Sequence, residues 1–230
     1  MNAVKNPDLY STPPFVKPGA DDSYSMTHYL QLILACVHSG VQRSENGVVV
    51  AFTAISPAAG VSNVIESFGT ELARFTGKQT LIVDAHRLRS LYVSDYTRMP
   101  QCCYETSLAN LWLLPETEDK GGNNQSEKFS GLSEPDAWHL KPEFGADRIG
   151  ALRVSFDYIL IDCPPLNASS EATILAPFVD GMVIVVEAGR DRRHQIQRAQ
   201  QTVELAEGRL LGFVLNKRQY PVPKWLYKRL

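Results

Sequence analysis

Six short apolar runs, most of them ending at a polar residue, constrain this chain more than any other feature. They occupy residues 48–52, 80–83, 111–114, 158–161, 181–186 and 210–215. Each is short for a helix and continuous in its apolar character, which fits a strand buried on both faces. Between them, residues 62–76, 143–154 and 191–207 read as helices, the first ending at Gly77. Ahead of the first strand, residues 25–41 carry Met26, Tyr29, Leu30, Leu32, Ile33, Leu34 and Val37 and read as a further helix. Buried strands alternating with helices predict an α/β fold: a doubly wound, mostly parallel sheet with helices on both faces. Ligands of such sheets bind beyond the carboxyl ends of the strands. The polar residues at those ends are Thr53, Asp84, Asp162, Glu187 and Asn216.

The chain's 230 residues suit one domain with tails, at roughly 150 residues per domain. Apolar residues make up 44% and charged residues 21%, which excludes a disordered, collagenous or coiled-coil chain. The formal charge is −2, so no global field holds nucleic acid or anionic lipid, and no nucleic-acid partner is expected. The four cysteines, at 36, 102, 103 and 163, show no C-x-x-C spacing and suggest neither zinc nor a disulfide scaffold. The N-terminal residues lack an apolar leader segment. No run reaches the roughly 18 apolar residues of a membrane span. These features point to the cytoplasm. Residues 1–24, with Pro7, Pro13, Pro14, Pro18 and Gly19, read as an extended tail. Residues 25–218 form the expected domain, with a polar loop over 116–137. Residues 219–230 form a second tail, and the last 14 residues carry five Lys and Arg and no acid.

The first strand leads through Thr53, Ser56, Pro57, Ala58, Ala59, Gly60, Val61, Ser62 and Asn63 into a helix. This is where a phosphate-binding loop lies in such a fold. That loop aims backbone N–H groups and a helix N-terminus at phosphate, with a Lys on the β/γ-phosphates and a Ser/Thr on Mg²⁺. Gly60 and Ser62 fit. Val61 stands at the Lys position and Ala58 at an earlier Gly position.

Two later stretches carry a family resemblance. Leu81-Ile82-Val83-Asp84-Ala85-His86 and Phe156-Asp157-Tyr158-Ile159-Leu160-Ile161-Asp162-Cys163-Pro164-Pro165 resemble the acidic motifs of the bacterial tyrosine autokinases of capsule and exopolysaccharide export. That family lies within the P-loop ATPases of partitioning and division-site selection. The match continues from Glu171 to Asn216, and Leu111-Trp112-Leu113-Leu114 is similar to the family's third strand. It covers about residues 25–218. The resemblance implies nucleotide contacts at Gly60, Val61, Ser62, Asn63 and Asn216, and Mg²⁺ at Ser62, Asp84 and Asp162. Asp84 and Asp162 are the candidate catalytic residues. ATP and Mg²⁺ are the implied cofactors if the site functions. The implied partner is a membrane polysaccharide co-polymerase, the chain-length determinant that draws such a domain to the inner face of the plasma membrane. Homo- or hetero-oligomers remain open.

The departures from the pattern matter equally. Val61 replaces the Lys, His86 the second acid of an Asp-x-Asp motif, and the initial helix has no arginines. The C-terminus has two separated tyrosines, Tyr220 and Tyr227, instead of a cluster. The expected function is therefore a degenerate, kinase-like component that acts by binding. The alternative is an active tyrosine kinase or ATPase with a non-standard loop, with Lys217 or Lys78 as a substitute cation. Asp84 and Asp162 serve either as metal ligands or as caps of the following segments. Asn216 either meets a base or ends a strand. The basic run 190–194 is either a solvated face or a partner contact. The tail residues Tyr220, Trp225 and Tyr227 either pack on their own domain or dock on a partner or membrane surface.

Overall fold

The computed structural model describes residues 47–90, 103–114 and 143–217, and the side chains of all of these except 89, 90 and 143–146. The expected N-terminal tail, the helix over 25–41, the loop over 116–137 and the C-terminal tail lie outside these residues.

The strands are β1 (Val48–Ala54), β2 (Thr80–Asp84), β3 (Tyr104–Glu105), β4 (Leu111–Leu113), β5 (Tyr158–Asp162), β6 (Gly181–Glu187) and β7 (Leu210–Asn216). They form one sheet in the order β3-β4-β2-β5-β1-β6-β7. Every pairing is parallel except β3 with β4. The helices are α1 (Val61–Thr76), α2 (Ala85–Ser90), α3 (Glu143–Arg153), α4 (Glu171–Leu175) and α5 (Arg193–Leu205), with a 3₁₀ turn at Ala176–Phe178. The doubly wound architecture expected from the sequence is present. Three features escape the sequence pattern. The two-residue edge strand β3, the six-residue α2 and the five-residue α4 are too short to show a period.

The continuous apolar runs are explained by burial on two sides. Along β1, Val49 and Ala51 join the core layer that also holds residues of α3, α4 and α5, while Val50, Phe52 and Ala54 join the layer under α1. In β5, Ile159 and Ile161 face one layer, Tyr158 and Leu160 the other. The helix α1 turns Val64, Ile65, Phe68 and Leu72 to the sheet and stops at Gly77, whose φ of 64° suits a residue without Cβ.

The amino edge of the sheet is held by one polar knot. Asp180 accepts the Val49 N–H at 2.7 Å and pairs with Arg153 at 2.7 Å. Arg153 also donates to the carbonyls of Gly47 at 2.6 Å and Phe178 at 3.2 Å. Both side chains are mostly buried, at 18% and 15% exposure. The knot ties α3, the entry to β1 and the entry to β6. Asp180→Ala leaves a buried guanidinium and an amide without their acceptor, so it is expected to cost about 2–3 kcal/mol, read from urea unfolding. Leu160→Ala, at a position 1% exposed, is expected to cost about 2–5 kcal/mol in the same measurement.

Candidate functional site: a cavity at the carboxyl edge of the sheet

The strand order brings the predicted residues together. In the β2–β5 ladder Asp84 lies opposite Asp162, and in the β1–β5 ladder Phe52 lies opposite Asp162. The chain leaving β5 then runs beside the end of β1. The Cys163 N–H donates to the Phe52 carbonyl at 2.9 Å, and the Leu166 N–H to that of Ala54 at 2.8 Å. Thr53, expected at a strand end, is instead inside β1 and fully buried, its hydroxyl donating to the Pro164 carbonyl at 2.8 Å. It holds this corner and is not open to a ligand.

A cavity of about 610 Å³ opens here. Its walls include Ala58, Ala59, Gly60, Val61 and Ser62 on one side, and Asp84, His86, Asp162 and Glu171 on the other. The loop side is backbone in character. Gly60 precedes α1 with φ 85° and ψ 39°, and a Cβ there would come within 2.6 Å of the Asn216 side-chain nitrogen. Among the described residues, the N–H groups of residues 59–63 have no hydrogen-bond acceptor. Unpaired amides at a helix start offer an anion site. Ala58 also has positive φ, 69°, at the position where the resembled motif has Gly.

The Val61 side chain is 9% exposed and belongs to the core layer with Ala59, Val64 and Ile65. Only its backbone is available to a ligand. Ser62 is exposed and lines the cavity, and Asn63 is exposed but does not line it. The opposite wall is acidic. Burial pushes the Asp162 carboxyl above its ordinary value; the hydrogen bond from Ser62 opposes this, and the charges of Asp84 and Glu66 add to it. Burial, reinforced by Asp162, Glu171 and Asp84, pushes the Cys163 thiol well up, so it stays protonated and unreactive at neutral pH. Asp84 also accepts the Arg87 N–H at 3.1 Å, as the capping reading expects. Among the described residues the wall includes no Lys or Arg.

Ser62, Asp84 and Asp162 offer oxygen donors, which suits Mg²⁺ with its remaining positions filled by water. Among the described residues no three His, Cys, Asp or Glu side chains converge on a metal position. Exposed His86 adds a nitrogen, a poor match for that ion.

The two substitute cations separate cleanly. Lys78 lies at the amino edge, 3.7 Å from Asp157 and 5.9 Å from the Tyr158 ring centre, at the far end of the strands from the cavity. Lys217 reaches the loop: its ammonium donates to the Ala58 carbonyl and lies 3.7 Å from Glu187. Asn216 donates to the Ala59 carbonyl at 2.8 Å. Around them, Ser56 donates to Asp191 at 3.1 Å, Asp191 accepts the Glu187 N–H at 2.7 Å, and Arg190 pairs with Glu187 at 3.2 Å. Within the basic run, Arg192, Arg193 and His194 are exposed. Glu171, 6% exposed, and Ser56 lie within the stretches that carry the resemblance but were not among the expected site residues, because the resemblance assigns neither a nucleotide or metal contact. Tyr220, Trp225 and Tyr227 lie outside the described residues.

Two outcomes follow for this wall and loop. A raised carboxyl favours the folded state only while protonated, so its contribution is full below the ordinary carboxylate pKa and is lost as pH rises through the raised value. Asp162→Asn is therefore expected to be more stable than the native protein at pH 7, the difference shrinking as pH falls through the carboxylate range, in urea titrations across pH. Ala58→Gly removes a left-handed penalty of about 1–2 kcal/mol against about 0.4–1 kcal/mol of unfolded-chain entropy, so thermal denaturation is expected to show unchanged or modestly raised stability.

No family model matches the chain. Among curated proteins it is similar to the tyrosine-protein kinase CpsD of Streptococcus agalactiae, 27% identical over 186 residues, covering 74% of this chain and 75% of that protein. Similar in degree is the tyrosine-protein kinase YwqD of Bacillus subtilis, 29% identical over 185 residues, covering 77% and 75%. The succinoglycan biosynthesis transport protein ExoP of Rhizobium meliloti is 28% identical over 179 residues, 74% of this chain but 22% of ExoP. Among solved structures, the chimerical protein CapA2B2 superposes with a TM-score of 0.64 at 19% identity, covering 87% of each chain. The kinase domain of Escherichia coli tyrosine kinase ETK gives 0.60 at 16% identity, covering 86% of this chain and 79% of that one; these two likenesses concern the fold. With its parallel sheet and the loop that follows β1, the chain is similar in sequence to the bacterial tyrosine-protein kinases CpsD and YwqD and shares the fold of the ETK kinase domain.

Proposed function

We propose that this chain is a non-catalytic, kinase-like component of exopolysaccharide or capsule synthesis or export, and that it works by binding the cytoplasmic end of a membrane chain-length-determining protein. The observation that carries this reading is the charge of the cavity. Among the described residues its wall presents Asp84, Asp162 and Glu171 and no Lys or Arg, while the Val61 side chain is committed to the core. Phosphoryl transfer is catalysed almost wholly by positioning and charge stabilisation. A wall of carboxylates with no cation opposes the negative charge that develops on the transferred group.

The polysaccharide assignment draws on the name of one relative, the succinoglycan biosynthesis transport protein ExoP. No helix among the described residues is long and apolar enough to cross a membrane, so in this reading a partner supplies the membrane attachment. The working unit is residues 25–218, with the flanking tails as connections. Tyr220, Trp225 and Tyr227, among the tail's basic residues, are the proposed contacts. The loop residues Gly60, Val61, Ser62 and Asn63 would meet phosphate through backbone amides, and Asn216 lies beside them. Where Mg²⁺ is bound with nucleotide, Ser62, Asp84 and Asp162 would hold it, and it would offset phosphate charge. In this chain these residues bind and orient; none supplies the missing positive charge.

The competing reading is an active tyrosine kinase, and the in-register pair Asp84 and Asp162 favours it. The two separate in two experiments. Incubated with ATP and Mg²⁺, the purified protein is expected to yield no phosphotyrosine. In cells, Asp162→Asn is expected to leave polymer output unchanged, while removal of residues 219–230 lowers it severalfold. Autophosphorylation at Tyr220 or Tyr227, abolished by Asp162→Asn, would overturn the non-catalytic reading.

A further inference from the structure

The loop keeps a phosphate-binding shape although no lysine stands at position 61, and the reason lies behind it. Two successive loop carbonyls are gripped from outside. Ala58 accepts from the Lys217 ammonium, and Ala59 from the Asn216 side-chain amide at 2.8 Å. Both grips come from adjacent residues at the end of β7, and Lys217 itself has φ 56°. Lys217 is anchored in turn by Glu187, 3.7 Å away at the end of β6.

Peptide geometry sets the consequence. Every peptide bond here is trans, and in a planar trans peptide the N–H points opposite to the C=O. Turning the Ala58 and Ala59 carbonyls toward β7 turns the N–H groups of Ala59 and Gly60 away from it. Ala59 and Gly60 line the cavity, whereas Asn216 and Lys217 do not. The left-handed φ values at Ala58 and Gly60, 69° and 85°, complete the geometry in which successive amides form an anion-binding concavity.

We infer that Lys217 is a positioning residue for the phosphate loop: by gripping the Ala58 carbonyl it holds the amides of Ala59 and Gly60 toward the cavity, so that the loop binds a di- or triphosphate anion without a lysine at 61. It acts through the loop backbone and does not touch the anion. This rests on the reading of residues 58–62 as a phosphate-directed loop and is independent of whether the protein transfers phosphate. The sequence offers Lys217 only as a substitute cation, and only the fold reveals its grip on the loop.

The test is calorimetric titration of the full chain with inorganic pyrophosphate and, separately, with Mg·ATP. The native protein is expected to bind both. Lys217→Met is expected to weaken pyrophosphate at least 10-fold, and Lys217→Arg, which still donates to a carbonyl, to stay within about threefold of native. Hydrogen exchange without ligand supplies the second measurement: peptides covering residues 56–61 should exchange faster in Lys217→Met while the sheet keeps its native protection. That pattern separates loss of the grip from global unfolding. Native pyrophosphate affinity in Lys217→Met, or unchanged exchange over 56–61, overturns the inference. So does a native protein that binds neither ligand at millimolar concentration. The non-catalytic reading is judged separately, by phosphotyrosine formation and polymer output.

Discussion

Burial of the central strands on both faces is the constraint on which everything else rests. A strand packed on two sides has no freedom of register, because a slip by one residue would exchange its two core layers. In β1 and β5 the two sets of alternate side chains enter separate layers. The register so imposed sets Asp162 opposite both Phe52 and Asp84. The cavity is therefore a product of core packing, and two of its wall acids, Asp84 and Asp162, sit one step beyond the apolar runs.

The loop facing that wall depends on a second, polar layer of constraint. Its backbone enters the left-handed region at Ala58 and Gly60, and only Gly adopts that region without penalty. The surroundings over-determine the conformation. Asn216 fills the space that a Cβ at Gly60 would need, and Lys217, Glu187, Asp191 and Ser56 link the loop to the ends of β6 and β7. The loop from Ala58 to Ser62, with Val61 turned into the core, is thus held in shape by contacts on its outer side. Shape and catalytic charge are separable properties of this site.

How far the sequence reached differs between parts of the molecule. The buried strands were legible because their apolar runs are continuous, and the sixteen-residue α1 because its hydrophobic period is sustained. The strand-end acids were legible because a polar residue closing an apolar run marks the edge of a sheet. Short pieces were not: β3, α2 and α4 span less than two helical turns and carry no period. Thr53 was misplaced for a related reason. The apolar run stops at Phe52, but the ladder with β6 continues to Ala54, and a threonine is accommodated there because its hydroxyl finds the Pro164 carbonyl.

The sequence by itself determined the fold class and put a valine at position 61, because these follow from local pattern and residue identity. Only the tertiary structure decided what the remaining cations do. Lys78 and Lys217 are equivalent as letters, each placed next to an end of a strand. Strand direction sends one to the amino edge, beside Asp157 and Tyr158, and the other to the carboxyl edge, against the loop. Charge acts through distance, and the distances between residues far apart in the chain are set by sheet order and register, which no local stretch of sequence contains.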